Sequence, residues 1–440
     1  MRDYAVFAVT AIGLLFTLRK PWIGVLLYAW FAYMNPHRLC YYRAYYFPFT
    51  MVIVSVLLIS LLISRERKWP PLTRESVLLV AFSCWMTLST LTALNADAAW
   101  GQWNQVMKIM FMVLVIMTMM TTRLRLNSFV WVIVLSLGYY AARGAFSTIR
   151  TGGNNRVYGP DFSFIADNND LALAIVTVVP LIMYLVAITP RRWVRFGLLA
   201  LVCCSVVAVI GTYSRAGMLA LLCVSLMLCW KSKHRIRTTA AVVVLLGLVY
   251  AYAPSAWFDR MQTVGTYEQD NSAMGRINAW HFAVNLAADR PINGGGFEAF
   301  TPALFERYAP DPGNFHAAHS IYFKVLGEHG YVGLFLFLAL GISTWWTARR
   351  VRKEARSIEG AEWAYHLVGM AQVALAGYAV GGAFGNLCYF DLPYHLMAII
   401  SGCGIAVRRM AAQAAAATPE LEDSPAETLL QPESMSVLTT

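Results

Sequence analysis

Charge is scarce in this chain. Of its 440 residues only 13% are charged, while 58% are hydrophobic; an ordinary soluble domain carries about 25% charged residues. Mean hydropathy is +0.53. No single core could absorb that much apolar surface in water, so lipid must solvate most of it, and a chain of soluble domains is excluded. The eight cysteines form no CxxC pair, and the long hydrophilic segment between 254 and 330 has none. A disulfide framework is therefore not implied, and most of the cysteines read as small packing residues in apolar runs. There is no Walker or dinucleotide-binding pattern and no internal repeat. No small-residue cleavage site follows the first apolar stretch before Arg19-Lys20, so that stretch is expected to be retained and not removed as a signal peptide.

What is present is a succession of apolar segments. They fall at roughly 4–18, 21–35, 47–64, 75–94, 104–121, 128–148, 170–188, 196–213, 216–230, 238–253, 331–348, 363–385 and 392–407, each near spanning length. The first two are short, and the first is expected to lie in the interface or re-enter. The expected fold class is all-α: a polytopic membrane bundle of about 12 helices with a helical loop domain. The boundaries are 1–253 for the first part of the bundle, 254–330 for the loop domain, 331–409 for the last helices and 410–440 for a disordered cytoplasmic tail.

Basic connectors set the orientation. Arg65-Glu66-Arg67-Lys68, Arg123 with Arg125, Arg191-Arg192 with Arg195, Lys231 through Arg237, Arg349 through Lys353 and Arg408-Arg409 recur after every second segment. The positive-inside rule makes them cytoplasmic. The connectors at 36–46, 95–103, 149–169, 212–216, 254–330 and 386–391 then face outward. These basic connectors account for much of the net charge of +11, and no nucleic-acid partner is expected.

The informative residues break that rule. Arg38, Arg43, Arg143, Arg150, Arg156, Arg215, Arg260, Arg276, Arg290 and Arg307 fall on the outward side. Asp97, Asp161, Asp167, Asp170, Asp259 and Asp289 could pair with some of them. As a group, however, outward arginine forks suit a pyrophosphate, whose oxygens they bind bidentately. Arg215 is the sharpest case: Thr212-Tyr213-Ser214-Arg215-Ala216-Gly217 joins two apolar runs with almost no loop, which holds the guanidinium at the outer mouth of the bundle.

The long segment contains Ser272 through Trp280, then Gly294-Gly295-Gly296, then His316-Ala317-Ala318-His319-Ser320. With Trp257, Tyr267, Trp280, Phe282, Phe300 and Phe305 it should form short helices on the membrane surface. The three glycines either let backbone approach a ligand or make a flexible linker. His319 can accept a proton from a hydroxyl near neutral pH or be structural. His316 and His319 could also ligate a metal, but no third ligand is evident. Asn154 through Asp170 reads as helix capping or as a sugar or phosphate contact.

These motifs resemble the O-antigen ligase superfamily, which includes O-antigen polymerases and bacterial protein O-oligosaccharyltransferases. The shared pattern is Tyr213-Ser214-Arg215-Ala216-Gly217 at the outer end of a span, an arginine-bearing loop, and His319-Ser320 followed by Glu328, Gly330 and Gly333. "RKPWIGVLLYAWFAYMNPHR", "DNNDLALA", "SAMGRINAW" and "HAAHSIYFKVLGEHG" resemble O-glycosylation ligases more narrowly. The resemblance covers residues 1 to about 350.

The resemblance implies a GT-C type glycosyltransferase of the bacterial inner membrane with a periplasmic active site and neither metal nor cofactor. It implies transfer of a glycan from undecaprenyl pyrophosphate to lipid A–core oligosaccharide, with membrane lipids as surroundings. Arg215 would bind pyrophosphate and His319 would activate or position the acceptor hydroxyl. Arg276, Arg290, Arg156, Arg38, Tyr213 and Ser320 are the further candidate contacts. The alternative acceptor is a protein serine; polymerisation of the lipid-linked chain and a transporter or flippase are the lesser readings. Transport predicts an inverted repeat and polar residues through the midplane; no repeat is found, and polar residues are only scattered cases, such as Lys108 near an outer helix end.

Overall fold

The computed structural model describes residues 2–64, 69–232, 235–252 and 271–417. The connector 65–68, Lys233, Trp257, Asp259, Arg260, Tyr267 and the tail from 418 onward lie outside the described residues. Every apolar segment read from the sequence falls on a helix, and the described residues contain no strand. The helices are α1 (Arg2–Arg19), α2 (Pro21–Met34), the one-turn α3 (Arg43–Tyr46), α4 (Phe49–Ile63), α5 (Arg74–Leu91), α6 (Ala96–Met119), α7 (Arg123–Arg150) and α8 (Asn168–Ile188). They continue with α9 (Arg192–Gly211), α10 (Arg215–Lys231), α11 (Arg235–Tyr252), α12 (Asn271–Asp289), α13 (Pro302–Tyr308), α14 (Ile321–Arg356), α15 (Glu362–Gly382) and α16 (Asp391–Ala417). Helix is the form that satisfies every backbone group within the segment when water is absent.

Among the described residues six stretches are long and apolar enough to cross a membrane: α6, α7, α8, α9, α14 and Leu387–Ala416. Helix α8 is the centre of the bundle. Val176, Leu181 and most of its other side chains are fully buried, because α7, α9, α10 and α15 all pack around it. A helix apolar on every face belongs in such a place. Helix α16 continues through the Ala-rich stretch to Ala417, so the expected tail is helical in its first residues; alanine has the highest helix propensity.

Two ends of the bundle differ in chemistry. At one end the basic connectors bond to neighbouring helices: Lys231 to the Gly369 carbonyl at 3.1 Å, Arg125 to the Met119 carbonyl at 3.3 Å and Arg409 to the Thr121 hydroxyl at 3.3 Å. Met119 ends α6, and a cation suits a helix C-terminus, where the dipole is negative. The opposite end, formed by the starts of α8, α10 and α14, gathers the asparagines, aspartates and histidines.

Helix α14 is broken at Gly330, whose φ of 66° and ψ of −168° lie outside the helical region. The break exposes carbonyls, and two of the three glycines supply their donors: Gly295 N–H bonds to Gly327 O at 2.8 Å and Gly296 N–H to Glu328 O at 2.7 Å. A Cβ on Gly294 would stand 2.6 Å from the Gly330 nitrogen. The triple glycine is thus a backbone clasp on the broken helix, neither a linker nor an approach to a ligand, because backbone groups at this distance leave no room for side chains.

Candidate functional site

The loop bearing His316 and His319 is held by α12. Asn278, buried in that helix, donates to the carbonyls of Asp311 (2.8 Å) and Asn314 (2.9 Å) and accepts from the Asp311 amide (3.0 Å). One turn either way, Gly275 faces the His316 ring so closely that a Cβ would sit 2.5 Å from its Nδ1, and Trp280 Nε1 donates to the Ala318 carbonyl at 2.8 Å. The Trp280 ring stacks on Phe323 at 5.1 Å. The segment Ser272–Trp280 is therefore a template that shapes the histidine loop through four side-chain hydrogen bonds, each worth about 1 kcal/mol net.

His319 occupies the left-handed region, with φ of 42°, directly before Ser320, the N-cap position of α14. Its Nδ1 lies 3.1 Å from Asn386 Nδ2, and the Asn386 backbone N–H donates to Asp170 Oδ1 at 3.1 Å. Burial, and after it the Arg276 charge, lowers the His319 pKa to about 4, with opposition from Asp167; both effects disfavour an imidazolium. The ring is neutral near pH 7 and can accept a proton. Ser320 Oγ is buried without a hydrogen-bond partner among the described residues. Among those residues no three His, Cys, Asp or Glu side chains gather as metal ligands.

Arg215 opens α10 on the other flank of α8. Tyr213, also left-handed with φ of 58°, donates from its hydroxyl to the Gly153 carbonyl at 2.6 Å. Ser214 caps the helix by accepting from Gly217 N–H at 3.0 Å. Asn168 Nδ2 donates to the Thr212 carbonyl at 2.8 Å, which ties the Arg215 turn to the start of α8. The Arg156 guanidinium lies 5.9 Å from the Tyr213 ring centre, so Arg156, Tyr213 and Arg215 form one group. Tyr213 and His319, two non-glycine residues in a sparsely populated backbone region, each precede the N-cap position of a helix, and such strain is the kind that surrounding structure maintains at sites. The aspartate and asparagine patch does cap: Asp167 accepts from Asn169 N–H at 2.8 Å. Its neighbours Asn168 and Asp170 instead join the two halves of the site.

Two candidates are placed elsewhere. Arg290 donates to the Thr92 carbonyl at 2.7 Å and so closes the end of α5. Arg38 lies over the rings of Tyr45 (4.8 Å) and Phe162 (5.5 Å), in a separate cavity. Of the outward aspartates, Asp289 pairs with Arg307 at 3.3 Å. Sequence reading missed Asn386, which lies in a short glycine-rich connector; its one signal was an amide side chain on an outward turn. It also missed the buried network beneath the loop, where Tyr389 donates to Glu328 Oε2 at 2.6 Å and meets His329 Nε2 at 2.9 Å, while Ser89 reaches His329 Nδ1 at 2.6 Å.

The described residues thus form a helical bundle, six of whose helical stretches are long and apolar enough to cross a membrane, with His319 and Arg215 at helix starts. Residues 199–338 match the family model described as O-antigen ligase, in line with the resemblance drawn from the sequence motifs. Residues 1–190 match a model described as a family of unknown function (DUF5935). Comparison with curated proteins finds no match. The ligase match carries Arg215 and His319; Arg156 and Asp170 lie in the other matched region, and Asn386 lies beyond both. The matched model supports a function of the O-antigen ligase type or a related glycosyl transfer.

Proposed function

We propose that this chain is an O-antigen ligase of the bacterial inner membrane, a GT-C type enzyme of about 12 spans that works without a metal. It would transfer a glycan from undecaprenyl pyrophosphate to lipid A–core oligosaccharide on the periplasmic face. One observation carries the reading: Arg215 and the neutral His319 flank the same capped start of α8, tied to it by Asn168 and by Asn386 with Asp170.

The chemistry needs little else. The acceptor hydroxyl gives its proton to His319 while its oxygen forms the new bond to the anomeric carbon. The bond from that carbon to the pyrophosphate oxygen breaks, and its electron pair leaves with the pyrophosphate. Arg215 and Arg156, beside the positive N-terminus of α10, stabilise the charge that develops there. Arg276 borders the histidine and Ser320 offers a hydroxyl to the acceptor. The Asn386 amide sets the tautomer. Turned so that Oδ1, a buried oxygen without a partner, accepts from Nδ1–H, it leaves Nε2 as the base. Arg290 and Arg38 stand outside this centre.

The test offers purified protein an undecaprenyl pyrophosphate-linked glycan together with lipid A–core or a serine-rich protein. Product on lipid A–core supports the proposal. Product on the protein alone makes the chain an oligosaccharyltransferase, longer lipid-linked chains make it a polymerase, and no covalent product removes the reading.

A further inference from the structure

Apart from the site around His319, the described residues enclose a cavity of about 930 Å³ in the region of unknown function. Its floor is α2, and its walls are α4 and α6, which both pack on α2 but scarcely touch one another. The gap between them opens the cavity sideways. From α4, Met51 and Val54 face it; from α6 come Asn104, Gln105 and Lys108, on one helical face at spacings of one, three and four. Arg38 stands at its rim.

Lys108 is the anomaly. It lies four residues after the apolar segment of α6 begins at 104, about 6 Å along the axis at 1.5 Å per residue, near the outer end of that helix. A cation within an apolar segment carries a cost that a counter-charge or a phosphate would offset. Among the described residues neither Lys108 nor the Arg38 guanidinium makes a hydrogen bond or ion pair, and Asn104 and Gln105 make no side-chain hydrogen bond. The acidic residue in the wall, Asp391, is buried and accepts the Tyr28 hydroxyl at 2.9 Å. His37 beside Arg38 is kept neutral, its pKa lowered to about 4 by burial and by Arg38. The cavity thus presents two cations and two amides above an apolar wall, with an opening towards the bilayer.

We infer that this cavity is a binding site for a phosphorylated membrane lipid. Its phosphate would be held by Arg38 and Lys108 with the amides of Asn104 and Gln105, and its hydrocarbon would leave between α4 and α6. Arginine and lysine together suit this ligand: a planar fork for two oxygens and a point charge that moves to a third. The inference does not depend on the reaction assigned to His319.

The test is native mass spectrometry of the full chain in detergent, in an Arg215→Ala background so that lipid held at the other arginine centre is not counted. Three lipids are added separately: polyprenyl phosphate, phosphatidylglycerol and diacylglycerol. One or both phosphorylated lipids should be retained, and diacylglycerol should not. Retention should fall by about tenfold or more in Arg38→Gln and Lys108→Met, an order of magnitude set by loss of a charge-assisted contact. Arg38→Lys should keep part of it, which separates lost binding from lost fold. Retention of polyprenyl phosphate alone makes the cavity a site for a carrier lipid, and retention of phosphatidylglycerol makes it a bilayer-lipid site. Equal retention of diacylglycerol, or retention unchanged in both variants, overturns the inference.

Discussion

His319 Nδ1 and Asn386 Nδ2 stand 3.1 Å apart although 67 residues separate them, and the Asn386 backbone is itself fixed by Asp170 in α8. The histidine is therefore oriented from the last third of the chain and from the core helix together. Three segments far apart in sequence must be in place before the site exists.

In the proposed reaction Asn386 would act through His319, as a positioning residue. Asn386→Ala should lower kcat by roughly 10- to 100-fold, the range seen when outer-shell partners of a histidine are removed, with little change in KM for the lipid-linked donor. Asn386→Asp should recover part of the rate, since an aspartate also accepts from Nδ1–H. Steady-state kinetics with both variants checks this. Equal loss in the two, accompanied by lower thermal stability, would mark a structural role instead.

The pH dependence has a defined sign. His319 in the free protein has a pKa lowered to about 4, so the base is deprotonated from neutral pH down to about 5. The acid limb of kcat/KM should lie near pH 4, well below the ordinary histidine value of about 6.5. A bound pyrophosphate is anionic and raises the pKa, so the limb in kcat should lie at higher pH. Arg276→Gln removes a charge that opposes protonation and should move the kcat/KM limb upward. Stability follows the same linkage: the unfolded histidine binds a proton from about pH 6.5, the folded one only near 4. This group's contribution is therefore lost as pH falls through that window.

Gly275→Ala tests the template formed by α12. The new Cβ would meet His316 Nδ1 at 2.5 Å and displace the loop that carries His319. Transfer should drop by about 100-fold, a loss typical of misplacement by about 1 Å, while the far-ultraviolet spectrum stays helical. Trp280→Phe keeps the stacking on Phe323 and removes only the bond to the Ala318 carbonyl, so its effect should be smaller.

Ser214→Ala removes the cap of α10 and should cost about 1 kcal/mol of stability. Arg215 would then project from a frayed helix start. A thermal melt in detergent reads the first effect, and donor KM reads the second.

The bundle was legible in the sequence because hydrophobic run length and basic connectors report directly on it. Arg215 could be found for a related reason: a cation between two apolar runs with almost no loop has one place to be. Other features were hidden. Asn386 carries no charge and sits in a short turn, and nothing local says that His319 is its partner. Arg290 looked like a phosphate ligand because sequence cannot show that the Thr92 carbonyl accepts its bond. The glycines at 294 to 296 were ambiguous for the same reason: their partner is a break at Gly330, visible only once α14 is folded. Arg38 stood out in the sequence as an outward cation, but nothing there showed that it shares a cavity with Lys108, seventy residues away.

The most direct measurement is glycan transfer by purified protein in detergent. It uses an undecaprenyl pyrophosphate-linked glycan and lipid A–core, and compares wild type with Arg215→Ala and His319→Ala. The account expects product with the wild type and at least about a 100-fold loss in each variant, with both variants remaining folded by thermal melt. Near-normal transfer by Arg215→Ala would contradict it.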